Sequence, residues 1–154
     1  MGYHTFKDNE NKKLEYFLWM SNSQLLRAVN AIHFYIDGTF DIVPNNFSQI
    51  LVVMTNDPVT NHPKPLAYIL LNCKDEEGYR IAIRSFKELL TNHGMRKIKV
   101  ESITLDFETA LMNGVKESFP RVKIIGCLFH LKNALWRGPA SSRVVRGFFV
   151  RPAG

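Results

Sequence analysis

The period of the hydrophobic positions changes along the chain, and each change marks an element. Residues 14–30 (LEYFLWMSNSQLLRAVN) carry Phe17, Leu18, Leu25, Leu26 and Val29 at mixed spacing, which predicts one or two short helices. Three strand-like runs follow with no helix between them: His33 to Phe40, Gln49 to Thr55 (QILVVMT) and Leu66 to Asn72 (LAYILLN). Their aromatic and β-branched content suits a pleated, half-buried surface. The connectors hold Val43-Pro44-Asn45-Asn46, then Asn56-Asp57-Pro58 through His62-Pro63-Lys64-Pro65. Such turn-rich links are too short for a crossover, so the three strands are expected to form an antiparallel meander.

Beyond Asn72 the period lengthens. Tyr79, Ala82, Ile83, Phe86, Leu89 and Leu90 recur at helical spacing between Glu76 and Asn92, with Asp75 as N-cap and Gly94 as the stop. Ile103-Thr104-Leu105 reads as a buried strand ending at Asp106. A helix from Glu108 to Phe119 buries Ala110, Leu111 and Val115, and Pro120 ends it. Lys123 to Phe129 (KIIGCLF) reads as a fifth strand leading into a helix from His130 to Trp136. The order βββαβαβα implies an α/β fold: a mixed five-stranded sheet with helices on its faces. Right-handed crossovers narrow the topologies, and the ribonuclease H-like fold, with its first and fourth strands adjacent, is one well-populated solution. Residues 1–30 are expected to be a helical extension, 31–137 the domain, and 138–154 an irregular basic tail.

Composition narrows the function classes. The chain of 154 residues is long enough for one domain with a real core. No apolar run approaches the roughly 20 residues of a membrane span. The polar start, Met1 to Lys13, predicts no secretory leader. Two cysteines, Cys73 and Cys127, make no disulfide framework and point to a reducing compartment. The net charge of +6 is unevenly spread. All 14 acidic residues lie within residues 1–117, against 13 basic ones; residues 118–154 hold seven basic residues and no acid. That basic end attracts phosphate without reading sequence.

Two carboxylates stand out. Asp37 follows a strand-forming run, and Asp106 ends another. On adjacent strands, about 4.8 Å apart, they could flank a divalent ion suited to phosphoryl transfer. The structural alternatives are equally concrete: Asp106 as the N-cap of the next helix, and Asp37 accepting turn hydrogen bonds beside Gly38. Asp41 reads as a solvated or supporting acid. Cys127-x-x-His130 has the spacing of half a zinc site, but a structural zinc takes four ligands. Cys73, His33, His62 and His93 join it only if the fold converges them. The other reading is a buried cysteine ending a strand and a histidine capping a helix.

Several of these segments together resemble the Mutator-like-element (MULE) transposase domain. They are Tyr35-Ile36-Asp37-Gly38-Thr39-Phe40, Pro65-Leu66-Ala67-Tyr68, Leu105-Asp106-Phe107-Glu108-Thr109-Ala110, Phe119-Pro120 and Gly126-Cys127-Leu128-Phe129-His130-Leu131. They occur in the family's order over residues 31–137, after an aromatic segment, Phe17-Leu18-Trp19, like that of one subgroup. The resemblance implies a ribonuclease H-like fold and DDE-type DNA transposition. Two aspartates and a later glutamate would hold Mg²⁺ or Mn²⁺, with transposon-end DNA as partner and, in a eukaryote, a nuclear location. The two aspartates map onto Asp37 and Asp106. Cys127 and His130 match a recurrent family motif whose role the resemblance does not supply.

The third acid has no counterpart, because no Asp or Glu follows Glu117. The resemblance therefore implies a C-terminally truncated catalytic core, inactive in cleavage by itself. The alternative is a domesticated, non-catalytic module that binds DNA or protein. A fold without its closing helices is also expected to leave one sheet face partly uncovered and prone to self-association.

Overall fold

The computed structural model describes residues 2–7, 13–39, 42–92 and 98–136. Phe40, Asp41, His93, Gly94 and the basic tail 138–154, each given a reading above, lie outside them. Eleven elements follow in order among the described residues: β1 (Gly2–Lys7), β2 (Lys13–Trp19), α1 (Asn22–Asn30), β3 (His33–Thr39), β4 (Gln49–Asn56), β5 (Pro63–Leu71), α2 (Glu76–Asn92), β6 (Ser102–Leu105), α3 (Thr109–Ser118), β7 (Lys123–Gly126) and α4 (Leu128–Trp136). The strands form one mixed sheet in the order β1-β2-β5-β4-β3-β6-β7.

The meander is present: β3 pairs antiparallel with β4, and β4 with β5. The expected adjacency of the first and fourth core strands is the parallel pair β3–β6, in which His33 faces Ser102 and Ile36 faces Leu105. β7 adds on in parallel beyond β6. His33 reinforces that register from its side chain. Its Nδ1 lies 2.5 Å from Ser102 Oγ and its Nε2 3.0 Å from Thr104 Oγ1, so one ring spans two residues of the neighbouring strand.

Two expectations need correction. The sheet has seven strands among the described residues, not five, and residues 1–30 are not a helical extension. Lys13–Trp19 is a strand paired antiparallel with β5, Tyr16 facing Leu71 and Trp19 facing Tyr68. Leu14, Tyr16 and Leu18 are buried while Phe17 and Trp19 turn to the other face, which is a period of two. Helix starts only at Ser21, whose hydroxyl and Gln24 form a reciprocal capping box. The second correction is at β7, which stops at Gly126. The Leu131 N–H bonds the Cys127 carbonyl at 3.0 Å, so Cys127 opens the first turn of α4 and Leu128 and Phe129 stand exposed on it.

The core lies on one face of the sheet. Phe34, Ile36, Leu51, Val53, Ile69, Ile103 and Leu105 point at α2, which answers with Tyr79, Ala82, Ile83, Phe86 and Leu90. Phe34 and Phe86 meet edge to face, centroids 5.9 Å apart. Asp75 caps α2 by accepting the Gly78 N–H at 2.9 Å. α3 lies close against α2 because Gly114 meets the backbone of Tyr79 and Arg80, where a Cβ would stand only 3.0 Å from the Arg80 nitrogen. On the opposite face Phe17, Trp19, Tyr35, Val52, Met54 and Tyr68 are half-buried.

Two outcomes are expected. Phe86→Ala should cost about 3–5 kcal/mol in chemical denaturation, because the cavity opens between a helix and a sheet that cannot collapse onto each other. Burial lowers the pKa of His33 below its ordinary value near 6.5. The unfolded chain then binds the proton first as pH falls. His33's contribution is complete above about pH 6.5 and declines from there towards its lower folded pKa. Urea unfolding at pH 7 and pH 5 should show a drop that His33→Gln makes shallower.

Candidate functional site

Parallel pairing between β3 and β6 ends at Ile36 and Leu105, and the next residue on each strand is an aspartate. Asp37 and Asp106 therefore leave neighbouring parallel strands at equivalent positions, beyond the carboxyl ends where open α/β sheets place their ligands. β7 ends level with them, Gly126 facing Leu105, and α4 begins two residues later. Its first turn brings His130 over the pair. His130 Nε2 lies 3.7 Å from Asp37 Oδ1, and His130 Nδ1 lies 3.8 Å from Asp106 Oδ1. The aspartates are about half exposed (54% and 43%), the imidazole less so (29%).

The alternative roles for the two acids find little support in this geometry. β3 runs on through Gly38 and Thr39, so Asp37 is a strand residue. The N-cap of α3 is Glu108, not Asp106. Asp106 Oδ1 accepts the Phe107 N–H at 2.6 Å, which orients the carboxylate without capping the helix. Glu108 makes no cap hydrogen bond either, because its carboxylate is held elsewhere.

That holding is a feature the sequence reading missed. Tyr79, fully buried on α2, donates its hydroxyl to Glu108 Oε2 at 2.9 Å and accepts from Gln49 Nε2 at 2.6 Å. Gln49 also reaches the Cys73 carbonyl at 3.2 Å. Burial, with the Glu108 carboxylate adding to it, raises the Tyr79 pKa far above its ordinary value, so the hydroxyl remains a donor. The loop after Asp106 is thus tied to α2 and to the start of β4. The only sequence signal was a glutamine opening an otherwise apolar strand run.

Phe107 anchors the same loop from the other side. Its ring lies against Gly126, and a Cβ at position 126 would run into it. The Cys127 N–H donates to the Leu105 carbonyl at 2.9 Å, so β7 and the Asp106 turn are fastened at backbone level. Cys127 is half-buried and opens α4; His130 lies within the first turn and is not its cap. Cys73 follows β5, His33 bonds Ser102 and Thr104, and His62 lies exposed in the β4–β5 loop. None of them converges on the Cys127–His130 pair.

A family model for the MULE transposase domain matches residues 33–134. This chain belongs to that family. Its function is accordingly transposase-related. Comparison with curated proteins gives no match. The MULE span opens at the first residue of β3 and closes inside α4, so it contains Asp37, Asp106, Cys127 and His130 together. No helix among the described residues is long and apolar enough to cross a membrane.

The donor set of the MULE site fits a divalent cation in kind: two carboxylates and an imidazole whose Nδ1 is buried without a hydrogen-bond partner. Among the described residues, no group of three or more such donors is drawn together tightly enough to hold an ion in this conformation. The half-exposed aspartates leave room for the side-chain rotation that would close the gap.

Tyr79→Phe tests the support of this site. It should cost about 1–3 kcal/mol, by leaving Gln49 and Glu108 short of a buried partner. Amide exchange at Phe107 and Glu108 should quicken more than exchange in the centre of β4.

Proposed function

We propose that this chain is part of a ribonuclease H-like, DDE-type transposase catalytic core in which Asp37 and Asp106 hold Mg²⁺ or Mn²⁺ against a DNA phosphodiester. The observation that carries the reading is the pair of aspartates leaving adjacent parallel strands one residue beyond Ile36 and Leu105. The order β5-β4-β3-β6-β7 across the MULE span supports it: a meander first, then two parallel strands added at the edge of β3.

Bound there, a divalent ion would lower the pKa of an attacking water or 3′-hydroxyl and neutralise charge on the leaving oxygen. The protein's part is placement. Asp37 is held by pairing on both sides of β3, and Asp106 by the Phe107 N–H and the Tyr79–Glu108 bond behind it. The positive end of α4 faces both carboxylates and favours anionic ligands. Two acids provide fewer anionic ligands than the three of the family pattern, and magnesium is exacting about its oxygen shell. The isolated chain therefore binds the ion but does not cut DNA.

The test joins ion binding to cleavage. Thermal unfolding with increasing Mn²⁺ should show stabilisation approaching about 2.7 kcal/mol at one hundredfold the Kd. Asp37→Asn should abolish that response without loss of ion-free stability, since it relieves repulsion between neighbouring acids. Supercoiled plasmid should stay intact in Mg²⁺ and Mn²⁺. Nicking that Asp106→Ala abolishes would overturn the inactivity. Salt-sensitive DNA binding with no ion response in the wild type would favour the non-catalytic binding module instead.

A further inference from the structure

We propose that His130 is the third protein donor of this ion site, and that its nitrogen makes the site select Mn²⁺ and Zn²⁺ over Mg²⁺. The inference rests on the carboxylate pair of the preceding section and adds a ligand and a metal preference to it. The ring of His130 stands across the gap between the acids, its Nε2 3.7 Å from Asp37 Oδ1 and its Nδ1 3.8 Å from Asp106 Oδ1. Neither separation is a hydrogen bond, which for N–H···O closes to about 3.2 Å or less. They suit an interposed ion better. Ligands about 2.1 Å from a shared cation lie about 3.0 Å apart when adjacent and about 4.2 Å apart when opposite.

The state of Nδ1 points the same way. It is buried and has no hydrogen-bond partner. An unsatisfied buried polar atom is costly, and a cation between it and Asp106 would satisfy it. Nε2 faces the second carboxylate, Asp37, and a carboxylate beside the far nitrogen is the usual arrangement that fixes tautomer and ring orientation in a metal-bound histidine. The motions required are small, because both aspartates are about half exposed and free to turn. The described histidines elsewhere are unsuited to the role: His33 has both nitrogens engaged by Ser102 and Thr104, and His62 is on a distant exposed loop.

A neutral imidazole in place of a third acid changes which ion is held. Magnesium takes oxygen ligands and gives up its water reluctantly, whereas imidazole suits zinc and the later first-row ions, and manganese accepts mixed oxygen and nitrogen donors. The site described here has two anionic oxygens and one nitrogen. Losing the nitrogen should therefore weaken Mn²⁺ and Zn²⁺ far more than Mg²⁺.

Calorimetric titration of the purified chain with Mn²⁺, Zn²⁺ and Mg²⁺ tests this, on wild type, His130→Ala, His130→Phe and Asp37→Asn, with circular dichroism to verify folding. Wild type should bind Mn²⁺ at least about tenfold more tightly than Mg²⁺. Either His130 variant should lose about tenfold or more for Mn²⁺ and Zn²⁺ with Mg²⁺ changed less than about threefold, an effect in the range seen when supporting groups of metal sites are removed. If the His130 variants bind Mn²⁺ as wild type does while Asp37→Asn does not, this inference falls and the carboxylate pair stands. If wild type binds none of the three ions, both fall. Should the variants fail to fold, pulsed electron paramagnetic resonance of the Mn²⁺-loaded wild type decides: ¹⁴N modulation from a bound imidazole upholds the assignment, and its absence overturns it.

Discussion

The parallel register between β3 and β6 is the constraint on which the site depends. A slip of one residue would turn Asp37 or Asp106 to the opposite face and bury it against α2. Three things hold the register. Phe34, Ile36, Ile103 and Leu105 are buried on the helix-covered face and fix which residues point inward. The His33 ring grips Ser102 and Thr104 on the other face. The crossover through α2 brings the chain back to β3 on the side opposite β4. Apolar burial thus determines where two charged residues emerge, although neither takes part in it.

Around that register the supports converge on the turn after Asp106. From below, Tyr79 connects Glu108 to Gln49 through the core. From the side, Phe107 lies on Gly126, and the Cys127 N–H holds the Leu105 carbonyl. Asp106 is thereby the more firmly supported acid. Asp37 depends on strand pairing alone. The imidazole reaches both from a helix whose placement follows from the length of β7.

Much of the fold was legible in the sequence because it rests on periodicity. The meander from His33 to Leu71, the α2 stripe from Tyr79 to Leu90 and the strand ending at Asp106 all show their period directly. β2 was misread because Phe17, Leu18 and Trp19 are apolar on both faces of the strand, which hides an alternation that burial makes plain. β7 was read too long because Leu128 and Phe129 continue an apolar run, yet they stand exposed on the first turn of α4. At the site, the strand-end positions of Asp37 and Asp106 could be read locally. Bringing His130 to them requires three strand ends to coincide, and no spacing along the chain encodes that. Gln49 and Tyr79 were hidden for the same reason, each passing as an ordinary member of its own element.

The contact between Phe107 and Gly126 bears on how such a domain can change over generations. Either aspartate can be exchanged for a neutral residue of similar size with little harm to folding, because both are largely in solvent. Gly126 has no such latitude: any side chain there meets an aromatic ring that has nowhere to go. A lineage released from selection for DNA cleavage, but still selected to fold, would shed its acids first and keep its glycine. The sequence variation tolerated at position 126, set beside that at 37 and 106, would then separate a working transposase from a retired one.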